Sequence, residues 1–94
     1  MFKIIKTIKN MFVEGAVKIK FLAYDDSVPQ EQIEPYEDIA VIAYQGEYNE
    51  FDIKRKVRQF VRQTKDHLVV ESTVIERTEN GEIVYDILQD SKEK

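Results

Sequence analysis

The sequence predicts an α+β fold: a two-layer sandwich in the order α-β-β-α-β-β, with a four-stranded mixed sheet and two amphipathic helices on one face. Three observations lead there. Two segments place apolar residues at helical spacing, several short runs favour strands, and Asn80-Gly81 reads as the turn of a C-terminal β-hairpin. The 94 residues read as one small domain, 1–94, with a frayed tail at 90–94.

Met1, Ile4, Ile5, Ile8, Met11 and Phe12 fall on one stripe of a helix running to about Val13, with Lys3, Lys6 and Lys9 opposite. Gly15 reads as its left-handed stop. Val17, Ile19, Phe21 and Ala23 then alternate with Lys18, Lys20 and Leu22, the period of a half-buried strand. The polar stretch from Asp25 to Glu37 contains Pro29 and Pro35, and Ser27 with Gln30 suggests a capping box around a single helical turn. Ile39 to Tyr44 is continuously apolar but too short for a helix. It predicts a strand buried on both faces, at the centre of the sheet.

Asn49 or Glu50 opens the second helix, in which Ile53, Val57, Phe60, Val61, Thr64 and Leu68 repeat at helical spacing and Asp52 complements the helix dipole. Val57, Phe60 and Val61 are expected to pack on Ile39, Val41, Val74 and Ile87. The β-branched run from Leu68 to Thr78 and the segment Glu82 to Leu88 form the last two strands. A two-residue turn between them sets Thr78 opposite Ile83, Glu76 opposite Tyr85 and Val74 opposite Ile87. The helix between strands two and three reads as a crossover joining parallel neighbours, while the flanking strand pairs are antiparallel, so the sheet is expected to be mixed. Its open face is partly apolar, which predicts a homodimer or other homo-oligomer.

With 43% hydrophobic and 34% charged residues the chain should fold. The absence of cysteine excludes a disulfide framework, a thiol nucleophile and a Cys-ligated zinc, and it suits a reducing, cytoplasmic setting. The N-terminal apolar residues never form the unbroken run of a signal peptide. No apolar stretch approaches the ~18 residues of a membrane span. The basic amphipathic N-terminal helix has a peripheral-membrane reading as well. A short chain cannot spare six large apolar side chains from its core, so packing is favoured over lipid.

The charges are sorted by segment. Residues 1–24 and 51–68 each carry a net +4, residues 69–94 a net -4, and residues 25–50 hold eight acids and no base, giving -4 in all. On the second helix Lys54, Arg55, Arg58, Arg62 and Lys65 share an arc of about 100° without an acid inside it. Such a row is what phosphate contacts in nucleic-acid binding would need. Asp25, Asp26, Glu31, Glu34, Glu37 and Asp38 occur within fourteen residues, with Tyr36 among them. Acids beside an aromatic anchor can attract a basic protein or imitate a phosphate backbone. The plain alternative for both groups is a solvated surface whose opposite charges neutralise one another within the fold.

No catalytic constellation is legible. His67 is the only histidine and is read as a helix C-terminal cap; there is no phosphate loop, nucleophile elbow or zinc-protease motif, and the acidic stretch lacks the spacing and glycine of a calcium loop. The chain is therefore expected to be a non-enzymatic binding or regulatory protein, without metal or cofactor. Its expected partner is a basic protein, engaged through the acidic loop in the manner of an inhibitor or nucleic-acid mimic. Nucleic acid held on the second helix is the alternative, followed by a membrane surface held by the first.

Overall fold

The computed structural model describes the backbone of residues 13–92 and the side chains of residues 13–89. The predicted N-terminal helix lies outside the described residues. Strand β1 spans Glu14–Tyr24, β2 Tyr36–Gln45, β3 Leu68–Glu79 and β4 Glu82–Asp86. Helix α1 covers Glu50–Lys65 between β2 and β3, and the short helix α2 covers Ile87–Lys92. A single 3₁₀ turn, Gln30–Gln32, interrupts the connection from β1 to β2. It starts after Pro29 without a side-chain cap, because Ser27 bonds Asp25 instead.

The sheet order is β2-β1-β3-β4, and every neighbouring pair is antiparallel. This overturns the expected mixed sheet. β2 and β3 do run in the same direction, but β1 lies between them, so α1 crosses over β1 and joins strands that never touch. The two-helix, α-β-β-α-β-β layout is also not matched. Among the described residues only α1 is a helix of real length; α2 reaches Lys92, and its Leu88 N–H is capped by Asp86 Oδ1 at 2.9 Å. Gly15 is not a helix stop: it lies within β1.

β1, with β3 beside it, is an interior strand, and β2 is not. The alternation of β1 has the cause expected of an antiparallel sheet with one open face. Val17, Ile19, Phe21 and Ala23 are buried beneath α1, while Lys18 and Lys20 point to the open side. α1 contributes Ile53, Val57 and Val61, one stripe at four-residue intervals, and β3 contributes Val74. Burying each such aliphatic side chain stabilises the fold by roughly 1.5–3 kcal/mol. The expected partners of that stripe are corrected here: Ile39, Val41 and Phe60 are 52%, 65% and 54% exposed. Ile39 and Val41 are the register partners of Lys20 and Lys18 and so share the open face with them, Phe60 lies outside the buried stripe of α1, and β2 is left at the edge of the sheet.

β3 bulges against β1 at two places, between Lys18 and Ile19 and between Leu22 and Ala23. The hairpin turns through Asn80 and Gly81, with φ of 52° and 84°, as a type I′ turn requires. Thr78 faces Ile83, but the register then shifts, so Tyr85 pairs with Arg77 and Asp86 with Glu76. The extra residue, Val84, moves the expected Glu76–Tyr85 and Val74–Ile87 pairs out of register.

Candidate functional site

The acidic connection and the C-terminal end of α1 meet in space. Helix α1 starts at Asn49, whose side chain accepts the Asp52 N–H at 3.0 Å, and ends at Asp66 in the left-handed conformation, φ 56°. That ending makes Asp66 the C-cap in place of His67. His67 instead lies in the junction to β3, where its Nδ1 is 2.9 Å from the Tyr36 hydroxyl and the two rings meet edge to face.

Around this pair the sequence-predicted acids find bases. Arg62 Nη1 donates to both oxygens of Asp26 at 3.0 Å. Asp25 Oδ2 is 4.0 Å from His67 Nε2, while its Oδ1 accepts the Ser27 hydroxyl at 2.6 Å and the Ser27 N–H at 3.0 Å. Those Ser27 bonds, then the attraction of His67, hold the Asp25 carboxyl below its usual range. Lys65 Nζ lies 3.9 Å from Asp38 and 5.3 Å from the centre of the Tyr36 ring. Glu37 turns to the open face, 3.6 Å from Lys20 of β1. Asp25, Asp26, Tyr36 and Asp38 thus form a clasp against Arg62, Lys65 and His67. Glu31 and Glu34 are exposed and have no ion pair among the described residues.

The basic arc is correspondingly occupied. Lys54 pairs with Glu50 at 3.7 Å, Arg55 with Asp52, and Arg62 also reaches Asp66 at 3.4 Å. Of Lys54, Arg55, Arg58, Arg62 and Lys65, only Arg58 has no ion pair among the described residues. The arc exists as a geometric row, but most of its charge is answered locally.

A second polar cluster, missed at the level of sequence, closes the opposite end of the sheet. Tyr44 donates its hydroxyl to Glu79 Oε2 at 2.6 Å, and Arg77 Nη1 bonds the same carboxylate at 2.7 Å and the Tyr44 oxygen at 3.2 Å. The Arg77 guanidinium sits 4.3 Å from the centre of the Tyr48 ring. Burial first, then the bond to Glu79, raises the Tyr44 phenol above its usual range. The Tyr44 ring covers the Gly15 backbone so closely that a Cβ there would overlap it. Arg77 and Glu79 are two residues apart on one strand, and Val17 and Gly15, two apart on β1, are their register partners. Only that register could have signalled the cluster. Among the described residues no group of three or more His, Asp or Glu side chains is arranged to hold a metal ion.

With this geometry in place, comparison with family models, with curated proteins and with solved structures finds no match.

Proposed function

We propose that the protein is a non-enzymatic binding or regulatory protein that engages a basic protein partner through the acidic connection between β1 and β2. The observation that carries this reading is the clasp itself. Asp26–Arg62 and Tyr36–His67 fasten the segment at both ends, and Glu31 and Glu34 between them are exposed and have no ion pair among the described residues. A fastened loop loses less conformational entropy when a partner arrives than a free one does, and its uncancelled charge steers a basic surface toward it. Tyr36 fastens the segment through its hydroxyl at His67. The cysteine-free chain suits a reducing cytoplasm, where we place it.

Pull-down from lysate with and without nuclease, at two salt concentrations, tests the class of partner. A protein that survives nuclease supports the reading; material lost with the nucleic acid overturns it in favour of α1. Binding kinetics of Glu31→Lys/Glu34→Lys then test the site, since neither acid holds an ion pair whose loss would disturb the described fold. Slower association and a flatter salt dependence are expected. A folded variant that associates at the wild-type rate reduces the segment to a solvated connection.

A further inference from the structure

We infer that the outer edge of β2 is a self-pairing surface, on which β2 of a second copy adds antiparallel to make one continuous sheet across a two-fold axis at Val41. The two edges of the sheet differ in kind. β4 is five residues long, is out of register at Val84, and runs directly into α2. β2 is ten residues long and pairs with β1 without a register shift. It contains no Pro, Lys or Arg and no bulge, and its only charged side chains, Glu37 and Asp38, stand at its N-terminal end, so its middle lacks the devices that usually keep an edge strand from pairing.

The hydrogen-bond phase fixes which groups are available. Gly46 N–H donates to Val13 O at 3.0 Å, so Val13 and Gly46 form a bonded pair of the antiparallel ladder. Counting back along the unbroken register, the bonded partners of β1 are Tyr44, Ile42, Ala40 and Asp38. Glu37, Ile39, Val41, Ala43 and Gln45 therefore turn their N–H and C=O groups outward. Ile39 shows it directly, because its N–H takes the Asp38 carboxylate at 2.8 Å in place of a strand. Among the described residues nothing pairs with this edge.

Side chains point to the same occupant. Ile39 and Val41 are more than half exposed, and beside them a groove of about 310 Å³ runs between β2 and α1, lined by Ala40, Ile42 and Phe60. A strand that fits must be apolar in its middle and must not oppose Glu37 and Asp38 with further acids. β2 meets both conditions when it meets itself. Centred on Val41, the antiparallel register pairs every outward position: Val41 with the partner's Val41, Ile39 with the partner's Ala43, and Glu37 with the partner's Gln45. It sets the two Glu37 residues about 27 Å apart at ~3.4 Å per residue, so these acids do not face each other across the axis. On the helix side it brings the partner's Ile42 opposite Ala40, at the mouth of the Phe60 groove. The surface is independent of the acidic connection, and it closes as a dimer because the two-fold uses the edge completely.

Sedimentation of the whole chain from micromolar to millimolar concentration tests this, together with amide exchange. A dimer of twice the 11.1 kDa chain mass is expected, with Ile39, Val41 and Ala43 amides protected as it forms. Val41→Pro removes only an outward N–H and leaves the ladder to β1 intact, as proline on an edge strand allows. Val41→Lys instead puts two cations together on the axis. Each should weaken dimerisation by more than about tenfold while keeping the wild-type circular dichroism. Should Val41→Pro not fold, Val41→Lys carries the test. A wild type that stays monomeric overturns the inference, as does a dimer that both folded variants leave unchanged. Protection of those three amides in a monomer overturns it too, since the chain would then cover its own edge.

Discussion

Tyr44 lies across the β1 backbone at Gly15, and the requirement there is for space rather than for an unusual backbone angle. Gly15→Ala should therefore destabilise the protein by about 1–3 kcal/mol through overpacking, read from the denaturation midpoint. In a Tyr44→Ala background the same substitution should cost far less, and an equal cost in both would show that the ring is not the obstacle. Asp25 makes a second residue-level prediction. Its carboxyl is lowered in the fold, so its contribution is present above the unfolded value of about 3.9 and is lost as pH falls through the lowered folded value. Removing the first cause, with Ser27→Ala, should move the Asp25 midpoint upward toward ~3.9 in a carboxyl NMR titration. An unmoved midpoint would assign the effect elsewhere.

At the scale of elements, α1 is governed by its cap and its narrow stripe. Asn49→Ala should cost about 1 kcal/mol, since the Asp52 N–H loses its acceptor. Ile53→Ala should cost about 2–5 kcal/mol, whereas Phe60→Ala should cost much less because its side chain is largely outside the core. Comparable midpoints for the two would contradict the packing described. The contrast marks what sequence can convey. The start of α1 and the Asn80-Gly81 turn were legible because capping and positive φ are local requirements met by local residues. Phe60 sits at helical spacing beside Val61, and spacing does not reveal how far the sheet extends beneath a helix. β2 was misplaced for a related reason: apolar side chains on both faces are common to a central strand and to an edge strand with an uncovered groove. The extra residues in β3 and β4 leave no trace in the hydrophobic pattern.

Across the whole molecule, the sorting of charge was legible as segments of opposite sign, but not as pairs. Arg62 and Asp26 are brought together by the crossover of α1 over β1, and Tyr36 and His67 by the same topology; neither pair has a local spacing that announces it. The result separates two levels of stability. The core under α1 rests on Val17, Ile19, Val57 and Val61, while the connection from Asp25 to Pro35 is fastened mainly by exposed ion pairs and one hydroxyl–imidazole contact. Exposed ion pairs contribute about 0–1 kcal/mol each, so the clasp should open locally well before the sheet does. Replacing both fasteners, Arg62→Ala with His67→Ala, should speed amide exchange in residues 26–34 by roughly tenfold, the equivalent of about 1.4 kcal/mol. Amides of Val17 and Ile19 should keep their wild-type protection. High salt acting on the unmodified chain should reproduce part of the effect, because it screens Asp26–Arg62 but not the Tyr36–His67 hydrogen bond. If exchange in the connection and in β1 instead rises together, the clasp is part of the global fold, and the acids it presents are held by the core rather than by their own pairs.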